Sequence, residues 1–143
     1  MEYSPMLAPV VVLVAWSLVM MVWMAATRLP AMRKAGIKPS RGGRGANLEG
    51  VLPNEVNWPA HNYQHLMEQP TIFYAIVFAT ILMGADVPIN VYLAWGYVGL
   101  RIVHSLVQAT VNIVKYRFLL FLLSSFCLLG LTVHAAARTR LER

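Results

Sequence analysis

The sequence predicts an all-α fold, an integral membrane four-helix bundle that forms a single domain over residues 1–143. Two observations predict it. The chain is 58% hydrophobic and only 13% charged, whereas soluble domains carry about 25% charged residues. The charges also fall in clusters separated by long apolar gaps, and each gap can supply the roughly 20 residues that a helix needs to cross a bilayer. Because the backbone finds no water in lipid, helices are the expected form of these gaps.

The first span is predicted at about 5–27, and a basic loop at 28–60 follows it. Glu2 precedes the apolar run and no basic residue does. A signal peptide begins with a positive region, so this run is expected to be a retained helix. The loop concentrates basic residues, namely Arg28, Arg33, Lys34, Lys38, Arg41 and Arg44. By the positive-inside rule the loop is expected to be cytoplasmic, as in a multi-pass protein of the bacterial inner membrane if the source is bacterial.

The remaining three spans are predicted at about 61–84, 88–112 and 117–137. The turn between the second and third is short, and Gly84 suits the end of a helix whereas Pro88 suits the start of one. The last span precedes a basic C-terminus, which holds Arg138, Arg140 and Arg143. With four spans this end lies opposite the basic loop, and the charge count still favours the loop as the cytoplasmic side.

Polar side chains interrupt two of the spans at helical spacing. The second span begins with His61, Gln64, His65 and Glu68. The third carries Arg101, His104, Gln108 and Asn112. Residues three, four and seven apart share one face of a helix, so each set forms a stripe.

Counting from the short turn predicts the heights of these residues. At about 1.5 Å per residue, Glu68 is level with His104, and His65 is level with Gln108. Arg117 opens the fourth span at the same end. An ionisable group at the bilayer centre costs about 2.5 to 3.5 kcal/mol, so such groups face protein or water. The sequence therefore predicts a polar pocket between spans two, three and four, open to the cytoplasm.

These features resemble the MAPEG family, membrane-associated proteins of eicosanoid and glutathione metabolism, in a bacterial-type form. The shared features are four spans, a long basic first loop, a second span whose polar start ends in Glu68, the segment "RIVH" at Arg101 to His104, and Arg117 at the start of span four. The resemblance implies a homotrimer with glutathione bound between subunits near the cytoplasmic face. It implies a transferase or peroxidase that takes a lipophilic small-molecule substrate from the bilayer.

The resemblance also implies roles for individual residues. Arg117 is the expected catalytic residue, which stabilises the reactive thiolate. Glutathione binding is expected of Arg28, Gln64, His65, Glu68, Arg101, His104 and Gln108. Glutathione-using members have Arg-x-x-Arg-Asn-x-x-Glu where this chain has His61-x-x-Gln64-His65-x-x-Glu68. Gln64 cannot form the bidentate pair that arginine makes with a carboxylate.

Other interpretations of the same residues remain open at the level of sequence. Glu68 and Arg101 could form a buried ion pair that fixes helix register. His104 could be a neutral histidine hydrogen-bonded across the bundle. His61, His65, Glu68 and His104 could bind a metal ion, or the protein could be a non-catalytic accessory subunit. No nucleic-acid partner is expected, because the basic residues are explained by topology.

Overall fold

A computed structural model describes residues 2–38 and 43–141 and shows, within those ranges, helices and no strands. Arg41 and Arg143 lie outside the described residues. The helices are α1 (Leu7–Lys34), α2 (Asn54–Met67), α3 (Gln69–Leu82), α4 (Pro88–Thr110) and α5 (Val114–Leu141), with a short 3-10 helix at Gly45–Leu48 in the first loop. Because α2 and α3 are two halves of one bent helix, the fold is a four-helix bundle, and the predicted fold class is confirmed.

Three stretches of the described chain are long and apolar enough to cross a membrane. They are Leu7–Lys34, Asn54–Leu82 and Val114–Leu141, each 28 or 29 residues long. The fourth helix, α4, has 23 residues and a length of about 35 Å. It is not among these three stretches, and its buried face carries polar residues.

The polarity of α4 is reversed relative to a helix of a soluble protein. Its buried positions include Arg101, His104 and Gln108, whereas large apolar side chains such as Ile89 and Tyr92 are exposed. Exposed apolar side chains are unfavourable in water. In lipid, apolar side chains are favoured on the outside of the bundle and polar side chains are favoured against protein. The helix therefore directs its polar residues into the bundle.

The second span bends at Glu68, which separates α2 from α3. Glu68 has φ −92° and ψ −98°, outside the helical region. Pro70 lies in the first turn of α3, and proline has no N–H with which to continue the hydrogen bonding of α2. The N–H of Glu68 instead donates to the His65 carbonyl oxygen at 3.2 Å, and the N–H of Thr71 donates to the Glu68 carbonyl oxygen at 3.2 Å. The continuous span predicted from the sequence is thus two helices with a fixed bend.

The turn between α3 and α4 follows the expected chemistry. Gly84 has φ +60°, a left-handed conformation that glycine adopts without steric cost. Pro88 begins α4. The buried Asn90 side chain donates from Nδ2 to the Ala85 carbonyl oxygen at 2.8 Å, which closes the turn onto the next helix.

In the bundle, α4 packs against α1, α2 and α5, and α3 packs mainly against α5. The rings of Phe73 and Tyr97 stack with centroids 4.3 Å apart and join α3 to α4. Gln69 lies between three helices, since its Oε1 accepts from Tyr97 Oη at 3.1 Å and its Nε2 donates to Ser125 Oγ at 2.9 Å. This bridge holds the start of α3 in place just beyond the bend.

We expect Gln69→Leu to destabilise the protein by about 1 to 3 kcal/mol, because the fully buried Tyr97 hydroxyl would lose its acceptor. Thermal unfolding in detergent measures the effect. Thr132→Leu is the control, since Thr132 is exposed and its hydroxyl donates to a carbonyl of its own helix, and surface substitutions usually change stability by less than about 0.5 kcal/mol. Equal melting temperatures for the two variants would show that the bridge contributes nothing.

Candidate functional site

The buried polar stripe of α4 is centred on Arg101, whose side chain is only 1% exposed. Its Nη2 donates to the His65 carbonyl oxygen at 3.2 Å. Its guanidinium carbon lies 5.7 Å from the centroid of the Phe121 ring, within the range of a cation–π contact. The His65 carbonyl oxygen also accepts from the Glu68 N–H at 3.2 Å, so the bend and Arg101 share this acceptor. Arg101 therefore joins α2, α4 and α5.

His65 and His104 face each other across the α2–α4 contact. Their ring centroids are 6.0 Å apart in an edge-on arrangement. His65 Nδ1 also lies 3.3 Å from Glu68 Oε2. Counting residues from the α3–α4 turn predicts that Glu68 lies beside His104. In the structure His65 lies there instead, about one helical turn before Glu68 along α2. Five residues outside the helices separate α3 from α4, and the second span is bent, so equal residue counts do not correspond to equal heights.

Arg117, at the start of α5, is held by Asn112, the last residue of the polar stripe predicted on the third span. Asn112 lies just beyond the end of α4, with φ +50°. This left-handed conformation is uncommon for residues other than glycine, although asparagine tolerates it better than most. Arg117 Nη1 donates to Asn112 Oδ1, which directs the guanidinium back toward α4. The connection between α4 and α5 thereby positions a cation.

A cleft of about 170 Å³ lies where these helices meet. It is lined by His65, His104, Val114, Arg117, Phe118 and Phe121. The structure thus brings three of the predicted site residues, His65, His104 and Arg117, into one cavity. The apolar wall was not predicted. Its signal in the sequence is the spacing of Val114, Phe118 and Phe121, which places them on one face of α5.

Several buried polar atoms around this cleft have no hydrogen-bond partner in the described chain. They are Arg101 Nε and Nη1, His104 Nδ1, Ser105 Oγ, Gln108 Oε1 and Arg117 Nε. Buried polar groups in native proteins are almost always paired with protein or ordered water. These groups are concentrated at one end of α4 and α5, where water or a polar ligand could pair with them.

The other predicted glutathione-binding residues lie outside the cleft. Glu68 is 68% exposed, and Gln64 is also exposed. Gln108 is buried on α4 one turn beyond His104. Arg28 lines a separate cleft in the first loop, so within one chain it is not brought to His65, His104 and Arg117.

The structure also bears on the alternative interpretations. Glu68 Oε2 lies 3.3 Å from His65 Nδ1 and Arg101 donates to the His65 carbonyl oxygen, so the possible ion pair between Glu68 and Arg101 is not formed. His104 Nδ1 is not hydrogen-bonded across the bundle.

The possible metal site drawn from His61, His65, Glu68 and His104 does not form in a single chain. Within residues 2–38 and 43–141, no group of three or more histidine, cysteine, aspartate or glutamate side chains is arranged to hold a metal ion. His61 is directed to Glu49 in the first loop, with 2.5 Å between Nε2 and Oε1. The i, i+4 spacing of His61 and His65 therefore does not produce a shared ligand set.

The model of the MAPEG family matches residues 6–137, nearly the whole chain. No curated protein and no solved structure matches the chain.

Proposed function

The chain belongs to the MAPEG family, and from this premise we propose that it is a membrane-bound glutathione-dependent transferase or peroxidase acting on lipophilic electrophiles. Members of the family are generally associated with glutathione. We further propose that the chain forms a homotrimer and that its first loop lies on the cytoplasmic side, at the inner membrane in a bacterium.

The observation that carries this proposal is the composition of the cleft between α2, α4 and α5. Arg117 lies on one side, His65 and His104 lie on another, and Phe118 and Phe121 supply an apolar wall. A cation beside an apolar surface suits the reaction of an anionic nucleophile with a lipophilic partner.

Glutathione would supply a thiol, which has a pKa near 8.5 when free and reacts as the thiolate. The guanidinium of Arg117 favours the anion by electrostatic attraction, which is stronger where water is excluded. Phe118 and Phe121 would hold the electrophile against the sulfur. In conjugation the thiolate attacks an electrophilic carbon, and as the carbon–sulfur bond forms the carbon loses a leaving group as an anion. In peroxide reduction the thiolate attacks one peroxide oxygen, the O–O bond breaks and the alcohol departs. A second glutathione then attacks the sulfur of the resulting sulfenic acid and gives glutathione disulfide and water.

Arg101 is proposed as a positioning residue. It contacts the His65 carbonyl and the Phe121 ring, and these two residues line the cleft on opposite helices. Gln108 and His104 would offer polar groups to the tripeptide from the same face of α4. Arg101 thereby fixes the distance between the histidine side and the aromatic side of the cleft.

The size of the cleft supports the proposal of a trimer. A volume of about 170 Å³ is below the roughly 300 Å³ at which pockets for drug-sized ligands begin. The cleft can hold a thiol and its neighbouring atoms, whereas the ends of a tripeptide must lie on the adjoining surface. Glu68 and Gln64 are exposed there, and a second copy of the chain would cover them. Glu68 would pair with the ammonium group of glutathione.

Glutathione is expected to raise the melting temperature of the purified protein, and Glu68→Gln is expected to abolish most of that increase. The substitution removes the negative charge that would pair with the ammonium group and keeps the size of the side chain. Ligand at 100 times its dissociation constant stabilises by about 2.7 kcal/mol, an effect that a thermal-shift measurement resolves.

Glu55→Gln is the matched control, because Glu55 is an exposed acid in the first turn of α2, remote from the bend. It should keep the full response to glutathione. An equal response in Glu68→Gln and Glu55→Gln would remove Glu68 from the binding site. No response in the unsubstituted protein would contradict glutathione binding itself and would favour an accessory role.

A further inference from the structure

The proposed reaction needs a group that takes the proton of the thiol, because the sulfur attacks as the thiolate. Arg117 can stabilise the anion but cannot accept the proton, since a guanidinium stays protonated in proteins. The cleft that contains Arg117 is otherwise lined by His65, His104 and three apolar side chains. Within the described chain, therefore, the side chains of the cleft that can take up a proton are the two histidines.

The two histidines differ in their surroundings. His104 is 3% exposed, and its Nδ1 is buried without a hydrogen-bond partner in the described chain. It lies three residues after the buried Arg101, on the same face of α4. A positive charge on this ring would be costly, because it would be desolvated and close to another cation. His104 is thus poorly suited to accept a proton.

His65 has the surroundings that a proton acceptor needs. Its side chain is 38% exposed, and its Nδ1 lies 3.3 Å from Glu68 Oε2. A carboxylate at this distance favours the imidazolium. It also favours the neutral form in which Nδ1 carries the hydrogen and Nε2 has the free electron pair. Because His65 lines the cleft, Nε2 is the nitrogen that it can offer to a bound thiol.

Other charges near His65 oppose its protonation, and Glu68 offsets them in part. Arg117 shares the cleft with His65, and Arg101 of α4 donates to the His65 carbonyl oxygen. His61 lies one helical turn earlier on α2 and is directed to the first loop. The thiolate that forms in the same step adds a second negative charge beside the imidazolium. Proton transfer from the thiol to His65 therefore leaves the net charge of the cleft unchanged.

The bend of the second span fixes the backbone between His65 and Glu68. The Glu68 N–H donates to the His65 carbonyl oxygen at 3.2 Å, and Arg101 Nη2 donates to the same oxygen at 3.2 Å. This backbone is therefore held from α2 and from α4, which limits the positions that the two side chains can take. The second carboxylate oxygen of Glu68, Oε1, is left for the ammonium group of glutathione.

We propose that His65 is the general base of the reaction. The proposal rests on the proposed use of glutathione. Nε2 takes the proton as the S–H bond breaks, and the electron pair stays on the sulfur beside Arg117. The sulfur then attacks the electrophile. In conjugation the imidazolium returns the proton to the departing anion, and in peroxide reduction it returns the proton to the alkoxide, which leaves as the alcohol. Glu68 is a positioning residue in this step, because it acts through His65.

This role differs from the one that the family pattern implies. Where this chain has His65, the glutathione-using members have asparagine, whose amide forms hydrogen bonds but takes up no proton. His65→Asn therefore removes the base and keeps a polar side chain that the family accommodates at this place. His61→Asn is the matched control, because it makes the same replacement one helical turn away at a residue that does not line the cleft.

The direct test follows the proton in the purified full-length protein in detergent at neutral pH. Glutathione is added to a weakly buffered solution, the thiolate is detected by its ultraviolet absorbance, and the released protons are counted with a pH indicator. In the unsubstituted protein and in His61→Asn, we expect a thiolate signal with far less than one proton released per thiolate, because the proton stays on His65. In His65→Asn, each thiolate should be accompanied by one released proton.

The kinetics provide a second readout. General base catalysis contributes a factor of about 100 to 10,000, so His65→Asn should lower kcat at neutral pH by about 100-fold while KM for glutathione changes much less. The deficit should shrink as the pH approaches the pKa of a free thiol, near 8.5, because the thiol then ionises without a base. A purely structural role for His65 would lower the rate at every pH.

Three outcomes would overturn this proposal alone. A full proton released per thiolate in the unsubstituted protein would show that the proton goes to solvent and that Arg117 suffices for the anion. Unchanged kcat in His65→Asn at neutral pH would show that no base is lost. A deficit of the same size at high pH would show a structural role. Absence of both the thiolate signal and thermal stabilisation by glutathione in the unsubstituted protein would contradict the proposed function and this proposal with it, so the two failures can be told apart.

Discussion

Arg117→Ala should lower glutathione-dependent turnover of a generic lipophilic electrophile by about 100-fold or more. Removal of one preorganised group that stabilises negative charge in an active site typically costs a factor of about 100 to 1,000. Arg117 is the cation directed into the cleft by Asn112, and no other arginine or lysine lines that cleft in the described chain. Turnover of purified protein in detergent or lipid, with glutathione at saturation, measures the effect.

The pH dependence of the same reaction separates charge stabilisation from a general loss of structure. A cation lowers the pKa of the bound thiol, so the unsubstituted protein should reach its maximal rate at lower pH than Arg117→Ala. In the variant the rate should keep rising toward the pKa of a free thiol, near 8.5. Arg117→Lys should retain part of the effect because it keeps the positive charge.

Lys115→Ala is the control for this experiment, because Lys115 is an exposed cation two residues away that does not line the cleft. Its turnover should match that of the unsubstituted protein. Unchanged turnover in Arg117→Ala, or an unchanged pH profile with reduced turnover, would remove Arg117 from the role of thiolate stabiliser.

Arg101→Met should stabilise the protein in the absence of glutathione while it weakens the response to glutathione. Arg101 is 1% exposed, and within the described part of the chain its hydrogen bond is to the neutral carbonyl of His65. Its Nε and Nη1 are buried without partners in the described chain. A buried charge without an ionic partner is costly, and replacing buried ionic groups by well-packed apolar side chains is often neutral or stabilising, by up to about 4 kcal/mol. The His65 carbonyl would keep its hydrogen bond from the Glu68 N–H.

Thermal unfolding with and without glutathione measures both parts of this prediction. Arg33→Met, at an exposed position of α1, is the matched control and should change neither the melting temperature nor the response. A large loss of stability in Arg101→Met without ligand would show that ordered water or a second subunit fully compensates the buried charge. A full response to glutathione would contradict the positioning role.

Much of the fold could be predicted from the sequence, because lipid restricts the chain to few solutions. Long stretches without charge have to be helices that cross the bilayer. Gly84 and Pro88 identified the turn between α3 and α4 by their local conformational preferences. The bend at Glu68 could not be located in the same way, since Pro70 only excludes continuous hydrogen bonding and the tertiary contacts of Gln69 determine where the chain turns.

The sequence predicted which helix face each site residue occupies. It predicted less well which residues of other helices each one contacts. Helical spacing placed Arg101 and His104 on one stripe, and the structure buries both. The partner of a side chain on another helix depends on offset and tilt, which a residue count does not contain. For this reason His65 lies beside His104, where counting residues from the turn had predicted Glu68. Arg28 bonds to Asn57 in α2, a contact between residues distant in the chain that no local pattern signals.

The bend at Glu68 should keep the spacing of the cleft residues constant in bilayers of different thickness. A straight helix that must shorten or lengthen its lipid-facing part does so by tilting as a whole, and every residue on it then moves. Here the Gln69 bridge holds the start of α3, and α2 stays attached to α4 through the His65 carbonyl and Arg101, so a change of tilt is confined to the part of α3 beyond the bridge. A thinner or thicker bilayer should therefore change the tilt of α3 and leave the spacing between His65 and His104 nearly constant.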